Sequence, residues 1–456
     1  MHIVLNPPWG LTITTTPPTA LLGGGAANPW SGFPGGNPFP SPLNPPPTFA
    51  FPQHGTYVFQ DHNIKPNNVQ EWNLSFQKQL GANWLVSASY LGSKTTHQWL
   101  GQNVDPSVVI TSGMAAPGII SDVGVTASSG SCTLLYGGTG FANQVTFNPC
   151  NGNGTTSLSA KTNGGVTVTN YNARKALTLI NPTEGPLMDG GNIEDFSNGN
   201  ADYNGLLASV QHRLSQNFSI LGNFTWSRCM DQGEIGIDIA NSFQNPANRR
   251  GEWGPCGSDR RKVFNLSLVV ESPKHESRML EAILGNWHGS GIFTATSGSW
   301  LTVTDGEDAS LTGQGRDRPI EVGDPFTAGT VSANPTCPAP SAIHTLAAWF
   351  NPCAFEMAPL GTFGTLGKNS IQGPGNWNFD TALWRTFPLS ERFKLDFRAE
   401  AFNAFNHFES GNPAAGLFTG NINVASPNST TRSTTAGYIS SSNPQRILQI
   451  AMKLTF

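Results

Sequence analysis

Charged residues are scarce in this sequence of 456 residues. It contains 25 lysines and arginines and 29 aspartates and glutamates, so charged residues make up 12% of the chain, about half of the roughly 25% found in soluble domains. A soluble protein with this composition would have a poorly solvated surface. The formal net charge is −4 and the basic residues are scattered, so no nucleic-acid partner is expected.

Long apolar runs are also missing. Uninterrupted apolar stretches last only a few residues, whereas a membrane-spanning helix needs roughly 20, so a helical membrane bundle is excluded. Residues 1–9 lack the basic start, apolar core and small-residue cleavage site of a secretory signal. We therefore expect either that the protein stays inside the cell or that the chain is incomplete, and the envelope-like pattern described below favours an incomplete chain.

Proline, glycine and aromatic residues are abundant instead, with 34 Pro, 51 Gly, 27 Phe, 12 Trp and 6 Tyr. Residues 1–52 contain 13 of the prolines. Because proline has no backbone N–H to donate to a sheet, we predict that residues 1–67 form an extended Pro/Gly-rich segment, an outer loop of the full-length protein.

From residue 68 onward, segments of about ten residues alternate between apolar and polar side chains, which is typical of half-buried β-strands. In one of them Phe393, Leu395 and Phe397 share a face. The opposite face carries the charged residues Lys394, Asp396, Arg398 and Glu400. Nine such strands are predicted, at 68–80, 83–93, 202–214, 217–229, 260–271, 286–297, 376–387, 391–403 and 445–456.

The links between these strands alternate strictly in length. Short links at 81–82, 215–216, 272–285 and 388–390 alternate with long ones at 94–201, 230–259, 298–375 and 404–444. In an up-and-down meander all the long links then lie at one end, which is the layout of an outer-membrane β-barrel with short periplasmic turns. Aromatic residues near strand ends fit an interfacial girdle: Trp84, Trp226, Trp287, Trp377, Phe387 and Phe393. A soluble β-sandwich is the alternative, although it leaves the scarcity of charge unexplained.

All six cysteines lie in the long links or at their edges. Pairing of neighbours would close loops of modest size, so Cys132–Cys150, Cys229–Cys256 and Cys337–Cys353 is the preferred connectivity among fifteen possible ones. Disulfides suit an oxidising compartment. Structural zinc is a weak alternative because the cysteines show no C-x-x-C spacing.

Four motifs of the chain are distinctive: VQEWNLSFQKQL at 69–80, WLVSASYLGS at 84–93, WFNPCAF at 349–355 and FKLDFRAEAFNAFNHF at 393–408. Together they resemble the C-terminal barrel of Oar-like TonB-dependent transporters. The final strand, QRILQIAMKLTF at 445–456, is similar to the strand that the barrel-assembly machinery recognises. In that strand the signal would consist of Leu448, Ile450, Met452, Leu454 and Phe456.

The resemblance implies an all-β fold in which residues 68–456 form part of a 22-stranded antiparallel up-and-down transmembrane barrel. It implies location in the cell outer membrane, with outer-membrane lipid and the assembly machinery as partners. TonB and a plug domain would act only in a full-length protein, since neither a TonB box nor a plug is recognisable in the chain. No cofactor is expected.

Two groups of residues are candidates for chemistry. The charges Lys394, Asp396, Arg398 and Glu400 would face the lumen, together with Glu71 and Arg213, and we expect them to pair with one another across strands. The loop at 305–324 contains six carboxylates that could bind calcium. It lacks EF-hand spacing, and Arg316 and Arg318 partly neutralise it, so a solvated loop is the preferred interpretation.

No constellation typical of an enzyme is present. His288 and Ser290 lie two residues apart on a predicted strand but outside a G-x-S-x-G elbow, and the nine histidines are dispersed. The resemblance to Oar-like TonB-dependent transporters implies energised uptake of a scarce bulky ligand, such as a siderophore, oligosaccharide or peptide. The alternative is a surface adhesion or structural protein of the outer membrane without energised transport.

Overall fold

The structure, a computed structural model, describes residues 57–105, 124–128, 131–135, 144–147, 175, 177, 183–188, 192–215, 217–233, 243–310, 312, 317–359, 362–390, 392–419 and 430–456. Its strands are β1 (Tyr57–Gln60), β2 (Asn68–Leu80), β3 (Trp84–Asn103), β4 (Gly124–Ser128), β5 (Ser131–Leu135), β6 (Gln144–Phe147), β7 (Asn192–Ser215), β8 (Phe218–Asp231), β9 (Gly254–Pro255), β10 (Lys262–Glu271), β11 (Trp287–Thr296), β12 (Trp300–Leu301), β13 (Ile320–Glu321), β14 (Phe355–Glu356), β15 (Ile371–Gln372), β16 (Asn376–Pro388), β17 (Lys394–Phe402) and β18 (Ile447–Thr455). The helix α1 (Arg278–Leu284) lies between β10 and β11. Within these ranges no helix has the length and hydrophobicity needed to cross a bilayer.

The central feature is a large antiparallel sheet in which nine strands follow one another in chain order, β2-β3-β7-β8-β10-β11-β16-β17-β18. These are the nine predicted strands, so the predicted up-and-down meander is confirmed. Two short strands join the sheet at its margins, β1 beside β7 and β9 beside β8. Among the described residues β2 and β18 are the edge strands, and the sheet does not close into a barrel.

The links alternate in length as predicted, so the sheet has a short-turn end and a long-link end. Two of the tight turns use a residue with a left-handed backbone, Gly81 at φ +65° and Asn217 at φ +68°, and these are residue types that tolerate positive φ. The link between β10 and β11 contains α1. Long links connect β3 to β7, β8 to β10, β11 to β16 and β17 to β18.

Two strands extend further than predicted at the long-link end. β3 continues to Asn103 and β7 begins at Asn192, and these extensions pair with each other across irregularities between Thr96 and Leu100. The extension was not predicted because it lacks apolar alternation and instead buries polar side chains such as Gln98 and Gln102. β1 pairs in parallel with the start of β7, so residues 57–60 of the predicted loop segment form a strand.

The pairing register assigns each side chain to one face of the sheet, because opposite residues share a face and neighbours along a strand alternate. Phe397 lies opposite Met452, Leu395 opposite Leu454, and Phe264 opposite Phe224. This face is apolar across the nine strands and solvent-exposed, with Phe76 68% and Met452 70% exposed. Its main residues are Trp72, Leu74, Phe76, Val86, Leu206, Val210, Ile220, Phe224, Leu266, Leu268, Phe293, Phe379, Leu383, Phe397 and Ile450.

The other face of the sheet is mostly polar. Ser87 and Ser209 share a hydrogen bond of 2.7 Å there, and Asn265 lies opposite Asn223 on one side and Thr294 on the other. The apolar exceptions on this face include Leu207, Leu221 and Ile292. An exposed apolar face backed by a polar one is the pattern of a sheet that contacts lipid on one side and water on the other.

Aromatic side chains mark two levels on the apolar face. Trp287 and Phe387 lie near the short-turn end, and Trp377 lies opposite Ala295 near the long-link end. The eight residue steps from Trp287 to Ala295 span about 27 Å along the strand, or about 20 Å along a membrane normal at the usual tilt, close to the apolar band of outer-membrane barrels. The spacing of the two levels therefore suits a membrane-spanning sheet.

A charge placed midway between these levels tests which face meets lipid. Leu268 lies opposite Gly291, halfway along the band, and we expect Leu268→Arg to lower the free energy of unfolding by about 2–4 kcal/mol in lipid vesicles. Asn265→Arg, on the polar face of the same strand, is the matched control and should change it by much less. Urea titration of the protein folded in vesicles measures both, and equal losses would contradict the assignment of faces.

Candidate functional site

The long links fold into a packed unit, here called the long-link body, which comprises the described residues of 243–261, 298–375 and 404–444. Its hydrophobic core combines residues from the β11–β16 and β17–β18 links. Phe350, Phe355 and Leu417 are completely buried in it, and the two phenylalanine rings meet edge to face at 6.0 Å. The remaining core residues are Val303, Ala309, Ala354, Met357, Leu366, Ile371, Phe418 and Ala436.

Arg432 joins these two links through its guanidinium group. It donates hydrogen bonds to the carbonyl oxygens of Pro352 at 3.1 Å and Phe355 at 3.0 Å, and it lies 4.8 Å from the centre of the Phe418 ring. The backbone N–H of Leu417 also donates to the carbonyl of Thr304 at 3.0 Å. Two links that are distant in sequence are thus held together by backbone and side-chain bonds.

Two disulfides fasten the body. Cys337–Cys353 closes a loop within the β11–β16 link, and Cys229–Cys256 ties the end of β8 to the residues beside β9. Both are pairs that the sequence predicts, and the described residues include no free cysteine. The third predicted pair, Cys132–Cys150, includes Cys150, which lies outside the described residues.

A buried ion pair connects the β8–β10 link with the β11–β16 link. The Arg318 guanidinium donates to both carboxylate oxygens of Glu252, at 2.6 and 2.9 Å, and the two residues are only 5% and 2% exposed. Gln244 completes the network. Its side-chain oxygen accepts a hydrogen bond from the backbone N–H of Arg318 at 2.8 Å, and its side-chain NH₂ group donates to the Gly364 carbonyl at 2.9 Å. Its backbone N–H donates to the Glu252 carboxylate at 2.9 Å.

Two further contacts tie the body to the sheet. Lys368 forms a buried ion pair with Asp231, the last residue of β8. Arg249 donates to the side-chain oxygen of Gln102 at 2.7 Å and lies 5.2 Å from the ring centre of Phe196, so it contacts the extensions of both β3 and β7. The body is therefore attached to the end of β8 and to the parts of β3 and β7 that extend past the apolar band.

A cavity of about 360 Å³ opens beside the Glu252–Arg318 pair. Its wall combines amide, carboxylate and guanidinium groups with two apolar side chains. The lining residues are Gln244, Asn245, Asn248, Gly251, Glu252, Arg318, Phe363, Gly364, Thr365 and Leu366. Because Glu252 and Arg318 neutralise each other, the cavity is suited to a ligand group that forms hydrogen bonds and carries little net charge.

The acidic loop at 305–324 is only partly solvated, so the predicted solvated loop is wrong for its buried members. Asp305 and Asp317 are 0% and 2% exposed, and Arg318 is the buried partner of Glu252. The reason is tertiary, since Asp305 belongs to the strand-like segment that bonds to the β17–β18 link: the Phe418 N–H donates to its carbonyl at 2.9 Å. No group of three potential metal ligands occurs among the described residues.

Burial raises the pKa of the Asp305 and Asp317 carboxyl groups. Desolvation raises the pKa of Asp305 to about 8, aided by the negative charge of Asp317 and opposed by Arg432. Desolvation likewise raises the pKa of Asp317 to about 7, with a contribution from Asp308 and opposition from the hydrogen bonds of Ser310 and the charge of Arg318. In contrast, the exposed Asp324 has a lowered pKa because the Phe326 N–H and the Thr327 hydroxyl donate to it.

The predicted lumen-facing charges lie on the polar face of β17. Arg398 pairs with Glu400 on the same strand at 2.5 Å rather than across strands, and it lies 5.5 Å from the ring centre of Trp384. Asp396 accepts a hydrogen bond from the Thr386 hydroxyl on β16 at 2.7 Å and stands opposite Lys453 on β18. Lys394, at the start of the strand, stands opposite Thr455, and Glu71 faces Ser93 on β3.

The five residues of the predicted assembly signal lie on the apolar face of the edge strand β18 and just beyond it. Leu448, Ile450, Met452 and Leu454 stand opposite Ala401, Ala399, Phe397 and Leu395, and Phe456 packs beside Phe393 with ring centres 6.4 Å apart. All five are exposed, from 51% for Leu454 to 89% for Phe456.

Sequence reasoning did not identify Gln244, Glu252, Lys368 or Arg432. Each is a single polar residue in a link without periodicity, and each has at least one distant partner, from a separation of 66 for Glu252 and Arg318 to 137 for Lys368 and Asp231. For Arg318 the sequence indicates only that it partly neutralises the acidic loop. No local pattern in the sequence distinguishes these residues from solvated ones.

Removing one member of the buried ion pair should destabilise the long-link body. In Glu252→Gln the Arg318 charge stays buried without a counter-charge, and such losses cost about 3–5 kcal/mol. Amide hydrogen exchange of residues 243–259 measures the change, which should appear as faster exchange. Glu276→Gln, an exposed carboxylate at the short-turn end, is the charge-matched control, and unchanged exchange in Glu252→Gln would refute the structural role of the pair.

The raised pKa values of Asp305 and Asp317 make the body most stable when both are protonated. In the folded protein the pKa of each carboxyl group lies above its ordinary value of 3.8. The stabilisation that comes from the bound protons is therefore complete below about pH 4 and is lost as the pH rises towards 7 and 8. The loss is about 1.4 kcal/mol for each group and pH unit in that window. Urea unfolding at pH 5 and pH 8.5 should show a smaller difference in the double variant D305N/D317N than in the unsubstituted protein. Equal differences would contradict the burial of these carboxyls.

Known proteins show which family this chain is similar to. A family model described as outer membrane beta barrel domain matches residues 2–449. Among curated proteins, none matches the chain. A likeness is found to the outer membrane transporter YddB from Escherichia coli, with 8% identity and a TM-score of 0.39 over 89% of this chain and 35% of that one. Another is to a Pseudomonas aeruginosa FadL homologue, with 9% identity and a TM-score of 0.20 over 85% and 67% of the two chains.

This chain spans about a third of the length of the Escherichia coli transporter, and both structural likenesses are too weak to support an argument. The family match is different because it covers nearly the whole sequence. It agrees with the meander, the exposed apolar face and the two aromatic levels. The chain belongs to the outer membrane β-barrel domain family, and its location is the outer membrane.

Proposed function

We propose that this chain is the barrel portion of an Oar-like TonB-dependent receptor that takes up a scarce, bulky ligand. The motifs at 69–80, 84–93, 349–355 and 393–408 support this proposal, because they occur in the order found in such receptors. The family match and the exposed apolar face agree with it. The proposal contains no catalytic step.

In this proposal the long-link end faces outward and the short turns face the periplasm, as in outer-membrane barrels. β2 and β18 each have one neighbour in the described sheet. Unpaired backbone groups are very costly in hydrocarbon, so these edges need partner strands in the membrane. We propose that they pair within a closed barrel of the 22-stranded type.

The observation that carries the proposal is the long-link body itself. A barrel that only needed to close could use short links at both ends, whereas here two disulfides and a buried ion pair shape the long links at one end. The body holds a cavity of about 360 Å³ with hydrogen-bonding walls. Such a preformed concave surface fits capture of one portion of a larger ligand.

The partners follow from the same proposal. Outer-membrane lipid contacts the apolar face, the barrel-assembly machinery recognises β18, and TonB acts through a plug in the full-length protein. The polar face with Asp396, Arg398 and Glu400 would then line the space that the plug occupies. A siderophore, an oligosaccharide and a peptide all remain candidate ligands.

Uptake by the full-length gene product tests the proposal. Cells lacking the gene and cells carrying it, each with and without TonB, are given an iron-loaded hydroxamate siderophore, a radiolabelled oligosaccharide or a labelled oligopeptide. We expect one probe to accumulate several-fold more in cells with both proteins, and an uncoupler of the proton gradient to abolish the difference. Accumulation that is independent of TonB, or absent for all three probes, would overturn it. Adhesion of cells to glycans without uptake would favour the adhesion alternative.

A variant of the cavity wall tests whether the cavity captures the ligand in the same assay. Phe363→Ala removes the largest apolar side chain of the cavity wall and should raise the probe concentration needed for half-maximal uptake. Leu346→Ala, at an exposed position of the same body, is the matched control and should leave uptake unchanged. If the two variants require the same probe concentration for half-maximal uptake, the cavity is not the capture site.

A further inference from the structure

The helix α1 carries an unusual set of exposed side chains for a connection at the end of a sheet. Met279, Leu280, Ile283 and Leu284 are 73%, 47%, 54% and 48% exposed, and no residue of the helix is buried. At 100° per residue these four side chains fall within an arc of about 140°. Arg278, Glu281 and Ala282 occupy the rest of the circumference, so the helix is amphipathic.

Two contacts fix α1 to the apolar side of the sheet rather than to the polar one. The indole N–H of Trp287 donates to the carbonyl of Ile283 at 3.1 Å, and the Arg385 guanidinium donates to the carbonyl of Ala282. Trp287 and Arg385 stand opposite each other in the register and share the apolar face with Leu383 and Phe387. The helix therefore lies beside the surface that contacts lipid, and its apolar side chains are exposed there.

The level of α1 matches the edge of the membrane. Trp287 and Phe387 form the aromatic level at the short-turn end, and girdles of aromatic residues mark the two membrane interfaces of outer-membrane barrels. The Arg385 guanidinium lies 5.2 Å and 4.7 Å from the centres of these two rings. A cation held among rings at this depth is placed at the level of lipid phosphates, as interfacial arginines generally are.

We propose that α1 is an interfacial anchor. It lies in the headgroup region of the outer membrane, in the leaflet on the same side as the short turns. Its partner is a phospholipid surface. Met279, Leu280, Ile283 and Leu284 insert among the upper acyl chains, while Arg385 and Arg278 stay at the level of the phosphates. Short amphipathic helices with this division of side chains bind the membrane interface in this way. The inference depends on the outer-membrane location and not on ligand uptake.

The consequence for the barrel is a fixed depth in the bilayer. The link between β10 and β11 is longer than the other three short turns, and it uses the extra length to form α1. An anchor at one point of the rim resists both sliding and tilting of the sheet, because movement in either direction would expose its apolar arc to water or bury its charges. The turn would thus contribute to positioning as well as connecting two strands.

Fluorescent probes on the complete chain test this placement. Single cysteines introduced by Met279→Cys, Leu268→Cys and Leu346→Cys are labelled with an environment-sensitive dye, and the disulfide-bonded protein is folded into vesicles of phosphatidylcholine and phosphatidylglycerol. Quenching is then compared between aqueous iodide and lipids that carry a nitroxide either near the headgroup or deep in the acyl chain. Leu268 serves as the lipid-facing reference and Leu346 as the water-facing reference.

We expect the probe at residue 279 to be quenched most strongly by the nitroxide near the headgroup, and the probe at residue 268 by the deep one. The proposal is overturned if the probe at residue 279 responds only to iodide, like the probe at residue 346. It is equally overturned if that probe is shielded from iodide and from both nitroxides, since a protein would then cover the helix. Failure of the probe at residue 268 to sense lipid would instead contradict the membrane contact of the whole apolar face.

Discussion

The hydrogen-bond ladder of the nine-stranded sheet is the constraint on which the rest of this structure depends. In hydrocarbon an unpaired backbone group costs several kcal/mol, so a membrane-spanning sheet must satisfy its backbone groups between strands. The antiparallel register then decides which side chains meet lipid. Because a shift of one residue would turn every side chain to the other face, pairs such as Phe397 with Met452 fix the apolar surface and its two aromatic levels together.

A different kind of bonding holds the long-link body. Its segments have little regular structure, so their backbone groups and charges find partners individually. Glu252 with Arg318, Lys368 with Asp231, and Arg432 with two carbonyls each join separate parts of the chain. Buried charges of this kind add little stability compared with apolar packing, but removing one partner is costly. Each of these contacts joins segments that are distant along the chain.

The periodic part of the molecule was predictable in detail. All nine strands were located from alternation alone, and all but two of their ends lie within three residues of the observed positions. The two exceptions are the extensions of β3 and β7, where buried glutamines such as Gln98 and Gln102 replace the apolar alternation. Two disulfides were also foreseen, because neighbouring cysteines in one link have few other partners within reach.

The sequence by itself determined the strands, their order, the face that each side chain takes and the segregation of long links to one end. These properties follow from the two-residue period of a strand and from link lengths, which are local. Only the tertiary structure decided that Asp305 and Asp317 are buried, that Glu252 finds Arg318, and that α1 lies against Trp287 and Arg385. Each of these depends on contacts between segments that are far apart along the chain and carry no period, so their partners are defined by the folded sheet.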